Sequence, residues 1–510
     1  MNKEVKNLIW VFLGLTVAKI VLNSFVKSPS SFADAYFYTL SAKALVALEW
    51  GVFFQNYPPL YPLLISWVYL FNDFQLSYFL IKITNSIISS LIIFPAYFLA
   101  REYLKDEKIS FYTALIIGLF PSNFSYSAFI LSENLFNLLF LTTVYILYLI
   151  FVKSKNNLIV LSSFFIFLCY ITRAISIVIF PAVIIYSIIE KKYKEGIYII
   201  LFSLVLLAPY IFIKGSLLTG YGVEVDRIYE GHVNLIETIF WVLLYPFFLY
   251  LQGFVIFTNS ALKTIKWDKT TKLFLIFILF FVGIAAYHAI AGINGLFGMI
   301  SGRPIGRYTA AILPLIVILG IENLRKFKVS YYLAIPFAVL MLYPLLLPNN
   351  IDSSWLGWTY LLFGNQSLIT QLVLYLLISI VIIYLINHFR KYINIKRIVM
   401  ALFVANLVIF GGIIYNSNHY YSQRDDSLAG IYLNKLSPDA IIAIDPSECV
   451  ETFTKKSDTL CDKDNHMSIM GIWNRNVVVG ENIDADYIVS KKELNLKKIK
   501  SFGEINIYET

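Results

Sequence analysis

Charged side chains are scarce in this chain, and a few of them lie where packing alone explains them poorly. Asp34 stands in the segment Phe32–Tyr36, directly after the first apolar stretch, and the stiff segment Tyr57–Pro62 follows it. Ionisable groups at membrane depth are expensive to place and tend to be functional. An aspartate here can serve as a general base, and it can also stabilise the start of a helix predicted near Ala35.

A second set of charged residues combines one acid with three arginines, and the arginines suit the binding of an anion. Glu133 begins an apolar stretch, and Arg173, Arg303 and Arg307 lie near the ends of later ones. Arginine holds phosphate through bidentate, charge-assisted hydrogen bonds. The alternative for each arginine is an extension toward lipid headgroups, and the alternative for Glu133 is a purely local role at its helix start.

Taken together, these residue types favour one reaction class. An acid can deprotonate a hydroxyl, arginines can stabilise a leaving phosphate, and apolar helices can hold a lipid tail. This combination predicts glycosyl transfer from a polyprenyl-phosphate sugar donor. The sequence has no Walker loop, no dinucleotide-binding glycine motif and no His-Glu-x-x-His zinc motif.

The elements that carry these residues must be membrane helices. The chain has 510 residues, of which 58% are hydrophobic and 14% charged, with a mean hydropathy of +0.71, whereas soluble proteins have about 25% charged residues. Apolar stretches long enough to cross a bilayer recur almost to residue 416. We predict about thirteen transmembrane helices, over residues 7–26, 77–100, 110–130, 132–152, 157–172, 174–190, 197–214, 234–258, 273–291, 308–322, 330–348, 369–387 and 398–416.

The basic residues predict the orientation of these helices. Lysine and arginine concentrate in alternate loops, for example at 191–194, 263–272 and 390–397. The positive-inside rule then places the N-terminus in the cytoplasm and, with an odd number of helices, the C-terminus outside. The longer loops, 27–76 and 292–307 among them, face outward and carry the candidate site. The net charge of +9 is therefore a property of the topology and indicates no nucleic-acid partner.

The composition changes after Asn416. Residues 417–510 carry 15 acidic and 11 basic residues, and a helical pattern at 427–436 precedes four runs typical of strands. These runs are 440–444, 477–479, 487–490 and 505–508. We predict an all-α polytopic membrane protein, with a membrane domain over 1–416 and a small outer α/β domain over 417–510.

The three cysteines fall into two groups. Cys449 and Cys461 lie twelve residues apart in the predicted outer domain, where a disulfide can form. We predict this disulfide, with two free thiols as the alternative. Cys169 lies inside a predicted membrane helix and is expected to contribute to packing.

Several short sequence segments follow one another along the membrane part of the chain. They are the acid-containing Phe32–Tyr38, the proline-rich Asn56–Leu64, Leu131–Leu135, Thr172–Arg173, and Gly306–Tyr308 followed by Leu313–Pro314. In order, spacing and predicted sidedness they resemble the membrane glycosyltransferases of the C superfamily, close to the protein-mannosyltransferase and aminoarabinose-transferase-like branch. About thirteen membrane helices and a small outer C-terminal domain also resemble that branch.

The resemblance implies an inverting displacement at the anomeric carbon of the sugar. Asp34 would be the general base, and Glu133 would position the acceptor or the sugar or help to bind a metal. No cofactor is implied with certainty, and a divalent metal is left open.

The resemblance also implies a site for the donor. Arg303 and Arg307 would face the phosphate, with Arg173 in support. Tyr57 and Tyr308 would contact the phosphate or the sugar. The expected partners are the polyprenyl-phosphate sugar, membrane lipids and an acceptor that is a glycan, a lipid or a protein.

Two departures from the family leave the substrates open. Asp34 is followed by Ala35, where eukaryotic-type protein mannosyltransferases have a second acid, and Tyr57 stands where the aminoarabinose branch has a lysine. A polysaccharide ligase with a lipid-linked donor, a lipid or glycan transporter and a non-catalytic scaffold are the competing interpretations.

Overall fold

The computed structural model of this chain describes most of the membrane part and most of the C-terminal region. The described residues are 3–29, 33–55, 57–71, 73–214, 256–264, 266–292, 307–324, 368–389, 394–437, 440–445, 466–474, 476–479 and 485–510, with isolated positions at 239, 242, 243, 245, 246, 249 and 332.

Helices dominate the described residues, as predicted. In chain order the α-helices are α1 (Lys3–Ser24), α2 (Ala33–Val46), α3 (Trp50–Gln55), α4 (Leu60–Ser66), α5 (Phe74–Leu91), α6 (Ile93–Leu104), α7 (Glu107–Gly118), α8 (Pro121–Phe124), α9 (Glu133–Phe151), α10 (Ile159–Tyr170), α11 (Ile179–Ile189), α12 (Tyr193–Lys214), α13 (Ile256–Thr264), α14 (Lys269–Gly292), α15 (Arg307–Ala310), α16 (Leu313–Gly320), α17 (Leu368–Phe389), α18 (Ile395–His419), α19 (Asp425–Leu436) and α20 (His466–Trp473).

The lengths of these helices agree with a multi-pass membrane protein. Within the described ranges, six helical segments are long and apolar enough to cross a bilayer: Lys3–Ser24, Phe74–Leu104, Glu133–Phe151, Tyr193–Lys214, Lys269–Tyr287 and Ile395–Gln423. Most of each of the predicted spans 330–348 and 234–258 lies outside the described residues. The full set of about thirteen spans and their orientation stay predictions.

Acidic caps set the starts of several membrane helices. Asp73 accepts hydrogen bonds from the main-chain N–H groups that open α5, Asp106 does the same for α7 at 2.8 Å, and Asp268 for α14 at 2.7 Å. A side-chain oxygen at this position satisfies an N–H group that has no partner within the helix. These acids therefore have local structural roles.

Prolines shorten one predicted span. The stretch 110–130 was expected to be one helix, but α7 ends at Gly118 and the chain continues in the short helix α8, which begins at Pro121. Proline has no N–H group to donate and its ring clashes with the preceding turn, so a helix cannot run through it undisturbed.

The first loop, predicted over 27–76, also differs from expectation. It is largely helical and contains α2, α3 and α4, with a 3₁₀ turn at Trp67–Leu70. Short helices satisfy main-chain polar groups that an irregular loop would have to expose or pair elsewhere. The candidate base Asp34 therefore lies on a helix.

The described chain divides into two compact units. The first comprises Met1–Leu15, Ile88–Ser125 and Glu133–Ile409, and the second comprises Thr16–Ile87, Tyr126–Ser132 and Phe410–Thr510. The domain boundary predicted near residue 416 stays a prediction, and α18 continues past it to His419.

Aromatic packing forms part of the core of the first unit. Phe140 on α9 lies 4.6 Å from Phe281 and 5.7 Å from Phe277 on α14, between ring centroids. All three rings are almost fully buried. Such aromatic pairs contribute about 0.5–1.5 kcal/mol beyond the stabilisation that comes from the area they bury. They therefore stabilise the packing of α9, whose first residue is the candidate site residue Glu133.

In the second unit, polar groups within the membrane helices are paired with one another. Lys82 on α5 donates to the carbonyl oxygens of Asn23 and Val26 at the end of α1, at 2.8 and 2.5 Å. The Asn23 amide donates to the hydroxyls of Ser86 and Ser127. The lysine thus supplies donors to carbonyl groups that a helix end leaves unsatisfied.

The C-terminal region of the second unit contains a mixed sheet in the order β2-β1-β3-β5-β4. Its strands are β1 (Ile441–Ile444), β2 (Asn476–Val479), β3 (Tyr487–Ser490), β4 (Lys497–Phe502) and β5 (Ile505–Glu509). β1 is parallel to both β2 and β3, whereas β5 is antiparallel to β3 and β4. The predicted helix and four predicted strands are confirmed. The lysine-rich edge strand β4 was missed.

A glycine in the first unit gives a test of the helix packing. Gly320 on α16 lies so close to α13 that an added Cβ would overlap the main-chain carbonyl of Phe257. We expect Gly320→Ala to destabilise the protein by about 1–3 kcal/mol, since backbone cannot move aside as a side chain can. The measurement is thermal unfolding of the purified protein in detergent.

Gly283→Ala is the matched control, because nothing lies within 4 Å of a Cβ added there on α14. Alanine is favoured over glycine inside a helix by up to about 1 kcal/mol, so this variant should be neutral or slightly more stable. Equal melting temperatures for the two variants would contradict the observed packing of α13 against α16.

Candidate functional site

Asp34 is half-buried in the first turn of α2. Its Oδ1 accepts a hydrogen bond from the hydroxyl of Tyr57, with 2.8 Å between the oxygens. A carboxylate in the first turn also interacts favourably with the helix dipole. The local role at the helix start and a role in chemistry are therefore compatible.

The position of Tyr57 follows from its sequence context. Pro58 and Pro59 come next and restrict the preceding backbone to extended conformations, and α4 begins directly after them. The Tyr57 ring lies 5.2 Å from both the Phe37 and Tyr38 rings. The predicted contact of Tyr57 with the donor stays a prediction, and the structure adds its hydrogen bond to the candidate base.

The aromatic support continues beneath Tyr57. The Tyr38 ring meets the Tyr61 ring edge-on at 5.1 Å, and the Tyr38 hydroxyl lies 2.7 Å from Ser132 Oγ. Tyr61 donates to Asn85 at 3.1 Å. Sequence reasoning missed Tyr38 and Tyr61 as site residues, although Tyr38 follows Asp34 by four positions on α2, the spacing of neighbours on one helix face.

Another tyrosine of α2 does not compete with Asp34 as a base. Burial raises the pKa of Tyr36 to about 12. Its phenol therefore stays protonated at neutral pH. Asp34 remains the candidate proton acceptor on this helix.

Glu133 forms the centre of a separate cluster in the first unit. It is fully buried at the first position of α9, and its Oε1 forms ion pairs with Arg173 Nη1 and, at 3.6 Å, with Arg307 Nε. The arginine side chains are only 7% and 12% exposed. The predicted alternative of lipid-facing arginines therefore does not apply to Arg173 or Arg307.

The local backbone directs both arginines toward Glu133. Arg173 has an extended conformation between α10 and a 3₁₀ turn at Ala174–Val178, which confirms the predicted break at this residue. Arg307 opens the short helix α15. A non-helical residue within a membrane segment is tolerated where protein surrounds it.

The Tyr308 ring contacts both guanidinium groups. Its centroid is 5.3 Å from Arg173 Cζ and 5.7 Å from Arg307 Cζ. The negative face of an aromatic ring attracts a cation, by about 0.5–2 kcal/mol. Tyr308 thus helps to keep two like charges close together around one carboxylate.

The two arginines converge on one acid. Both guanidinium groups lie at the same carboxylate oxygen of Glu133, in a largely buried setting. Buried charge is costly unless it is paired. The five donors of each guanidinium group suit the oxygens of an anion such as a phosphate.

Other predicted residues lie elsewhere or outside the described ranges. Arg303, Cys449 and Cys461 are not among the described residues, so the phosphate contact and the disulfide stay predictions. Cys169 is buried in α10 beside Thr143, as its packing role requires. Among the described residues, no three His, Cys, Asp or Glu side chains converge as metal ligands do.

Comparison of the backbone with solved structures assigns the fold. The chain is similar to ArnT from Cupriavidus metallidurans bound to undecaprenyl phosphate, with a TM-score of 0.56 at 11% identity over 92% of this chain and 85% of that one. The apo state of the same protein gives a TM-score of 0.54 at 11% identity over 94% and 86%. The chain has the glycosyltransferase C fold.

One further solved structure gives a lower similarity. The apo oligosaccharyltransferase of Archaeoglobus fulgidus gives a TM-score of 0.44 at 11% identity, over 94% of this chain and 69% of that one. No protein-family profile and no curated protein matches the sequence. The family resemblance predicted from the motifs is thus confirmed for the glycosyltransferase C fold, at an identity too low for sequence matching.

Proposed function

We propose that this protein is an inverting glycosyltransferase that moves a sugar from a polyprenyl-phosphate donor to an acceptor hydroxyl at the outer face of the cell membrane. The observation that carries the proposal is the buried Glu133–Arg173–Arg307 cluster, in which two arginines converge on one carboxylate. The chain that contains this cluster has the glycosyltransferase C fold. ArnT, a protein of similar fold, has been crystallised with undecaprenyl phosphate.

On the donor side, Arg173 and Arg307 bind the phosphate. Negative charge grows on the phosphate oxygens as the bond to the anomeric carbon breaks. Guanidinium groups that are already oriented stabilise this charge without reorganising. Glu133 orients the arginines, Tyr308 contacts the donor beside them, and Arg303 is the proposed third cation of the site.

On the acceptor side, Asp34 is the general base. It takes the proton of the acceptor hydroxyl as that oxygen attacks the anomeric carbon from the face opposite the phosphate. The new glycosidic bond forms as the bond to phosphate breaks, and polyprenyl phosphate leaves with the electron pair. Tyr57 orients the Asp34 carboxylate through its hydrogen bond.

The outer location is supported by the charge asymmetry of the loops, which predicts an outward-facing first loop. Envelope glycans, lipids and proteins are the acceptor classes available at that face. The reaction would be part of glycosylation in the cell envelope.

The donor site is tested by lipid binding. We expect Arg307→Ala to weaken binding of undecaprenyl phosphate by about ten- to a hundredfold, because a hydrogen bond to a charged group contributes about 1.5–3 kcal/mol. Binding of uncharged undecaprenol should not change. The measurement is a titration of the purified protein in lipid nanodiscs.

Arg101→Ala is the matched control. Arg101 belongs to the same unit, but it lies over the rings of Tyr97 and Phe98 at the end of α6 and away from the cluster. The Arg101→Ala variant should bind undecaprenyl phosphate with the same affinity as the wild type. Unchanged affinity in Arg307→Ala would refute the proposed phosphate site.

A further inference from the structure

A lysine on the helix that carries Asp34 is buried against the C-terminal region. Lys43 is 4% exposed, and its Nζ donates to the carbonyl oxygens of Gly471 and Asn474 at 2.6 and 2.5 Å. These carbonyls lie at the end of α20. The same ammonium lies 4.9 Å from the centroid of the Phe74 ring.

This arrangement explains why a buried lysine is tolerated. A helix end leaves carbonyl groups without partners within the helix and carries a partial negative charge. Lys43 supplies both donors and positive charge there. The contact therefore fixes α2 to α20 with a strength that an ordinary surface lysine does not provide.

A second contact on the same face of α2 strengthens this link. Tyr36, seven residues before Lys43, is 6% exposed and belongs to the hydrophobic core of the C-terminal domain, with Met470, Ile442 and Val489. Residues seven apart lie two turns along one face of a helix. One face of α2 is thus built into the core of the α/β domain.

The approach of α20 to this face is unusually close. A Cβ added at Gly471 would lie 2.5 Å from the Tyr36 ring, so only glycine lets the two helices meet at this distance. A hydrogen-bonded lysine and a packed tyrosine, two turns apart, together determine both the position and the rotation of α2.

We infer that the C-terminal α/β domain positions Asp34 for catalysis, with Lys43 and Tyr36 as the positioning residues. This inference rests on the proposed function. A helix is stiff over a few turns, so movement at Lys43 is transmitted to Asp34 at the start of the same helix. A misplacement of about 1 Å can reduce a rate by a hundredfold.

The first test measures the link itself and needs no substrate. Lys43→Met keeps the length of the side chain and removes its donors. Amide hydrogen exchange in α2, measured by mass spectrometry on the full chain, should become about tenfold faster, since local opening needs less free energy. Unchanged exchange would overturn the link between Lys43 and α20.

The second test measures catalysis with a panel of undecaprenyl-phosphate sugars, using whichever donor the wild type transfers. Lys43→Met should lower kcat by about ten- to a hundredfold, with KM for the donor and affinity for undecaprenyl phosphate within twofold of wild type. Lys43→Arg should recover a substantial part of kcat. A normal kcat, or a loss confined to KM, would overturn the positioning role.

Two further variants separate a local effect from general damage. Lys497→Met makes the same change on the exposed edge strand β4, where Lys497 pairs only with Glu509 among the contacts seen, and should leave exchange in α2 and kcat unchanged. Gly471→Ala should reproduce the loss of kcat by displacing Tyr36. A wild-type protein that transfers no sugar from the panel would instead refute the proposed function, and the exchange result would still decide whether Lys43 holds α2.

Discussion

Asp34→Asn should transfer sugar about a hundred- to ten-thousandfold more slowly than the wild type, the range that general base catalysis supplies. Asparagine has nearly the same size and can still accept the hydrogen bond from Tyr57. It cannot take a proton from an acceptor hydroxyl at neutral pH. The measurement is single-turnover transfer with the donor that the wild type uses.

This variant should retain its fold and its donor site. Its melting temperature and its affinity for undecaprenyl phosphate should match those of the wild type, because the phosphate contacts proposed for Arg173 and Arg307 remain. Rapid transfer by a well-folded Asp34→Asn protein would exclude Asp34 as the base, whatever the fold. Loss of lipid binding would indicate that Asp34 acts on the donor instead.

Glu133→Ala should lower the free energy of unfolding by about 3–5 kcal/mol, the effect of removing one partner from a buried ion pair. The two guanidinium groups, which both contact the Tyr308 ring, would then lose the carboxylate that they share. Undecaprenyl phosphate should raise the melting temperature of this variant more than that of the wild type, since a bound anion replaces the missing carboxylate.

Glu102→Ala provides the matched control for Glu133. Glu102 also pairs with two basic residues, Lys105 and Lys153, but these side chains are 62% and 36% exposed. Exposed ion pairs contribute about 0–1 kcal/mol, so this variant should melt close to the wild type. Equal destabilisation by the two variants would show that Glu133 is not at the centre of a buried charged cluster.

The parts of the fold that sequence predicted well are those with strong local patterns. Long apolar stretches predicted α9, α14 and α18 to within a few residues, and short β-branched runs predicted the central strands of the C-terminal sheet. β4 was missed because its sequence, Lys-Lys-Ile-Lys-Ser-Phe, lacks an apolar alternation. Lysines on an edge strand prevent it from pairing with other strands. The same lysines remove the apolar pattern from which a strand is predicted.

The candidate site was predicted in its residue types but not in its internal contacts. Arg173 and Arg307 were recognised as phosphate-binding candidates and Glu133 as a candidate site residue, yet their mutual pairing depends on helices far apart in sequence. Lys43 was not recognised as a site residue. Its hydrogen-bond partners are 428 and 431 residues away along the chain. A local sequence pattern cannot predict a contact between residues so far apart in sequence.

The contact between α2 and α20 also bears on how the protein is made. A ribosome adds about 5–20 residues per second, so Tyr36 and Lys43 must wait about 20–90 s before Gly471, 428 residues beyond Lys43, is synthesised. During that interval Tyr36 and Lys43, which are buried against α20 in the folded protein, are exposed on the nascent chain. Cells that lose the last part of this chain through premature termination would therefore accumulate an inserted but incomplete protein, which quality-control proteases can recognise by that uncovered helix face.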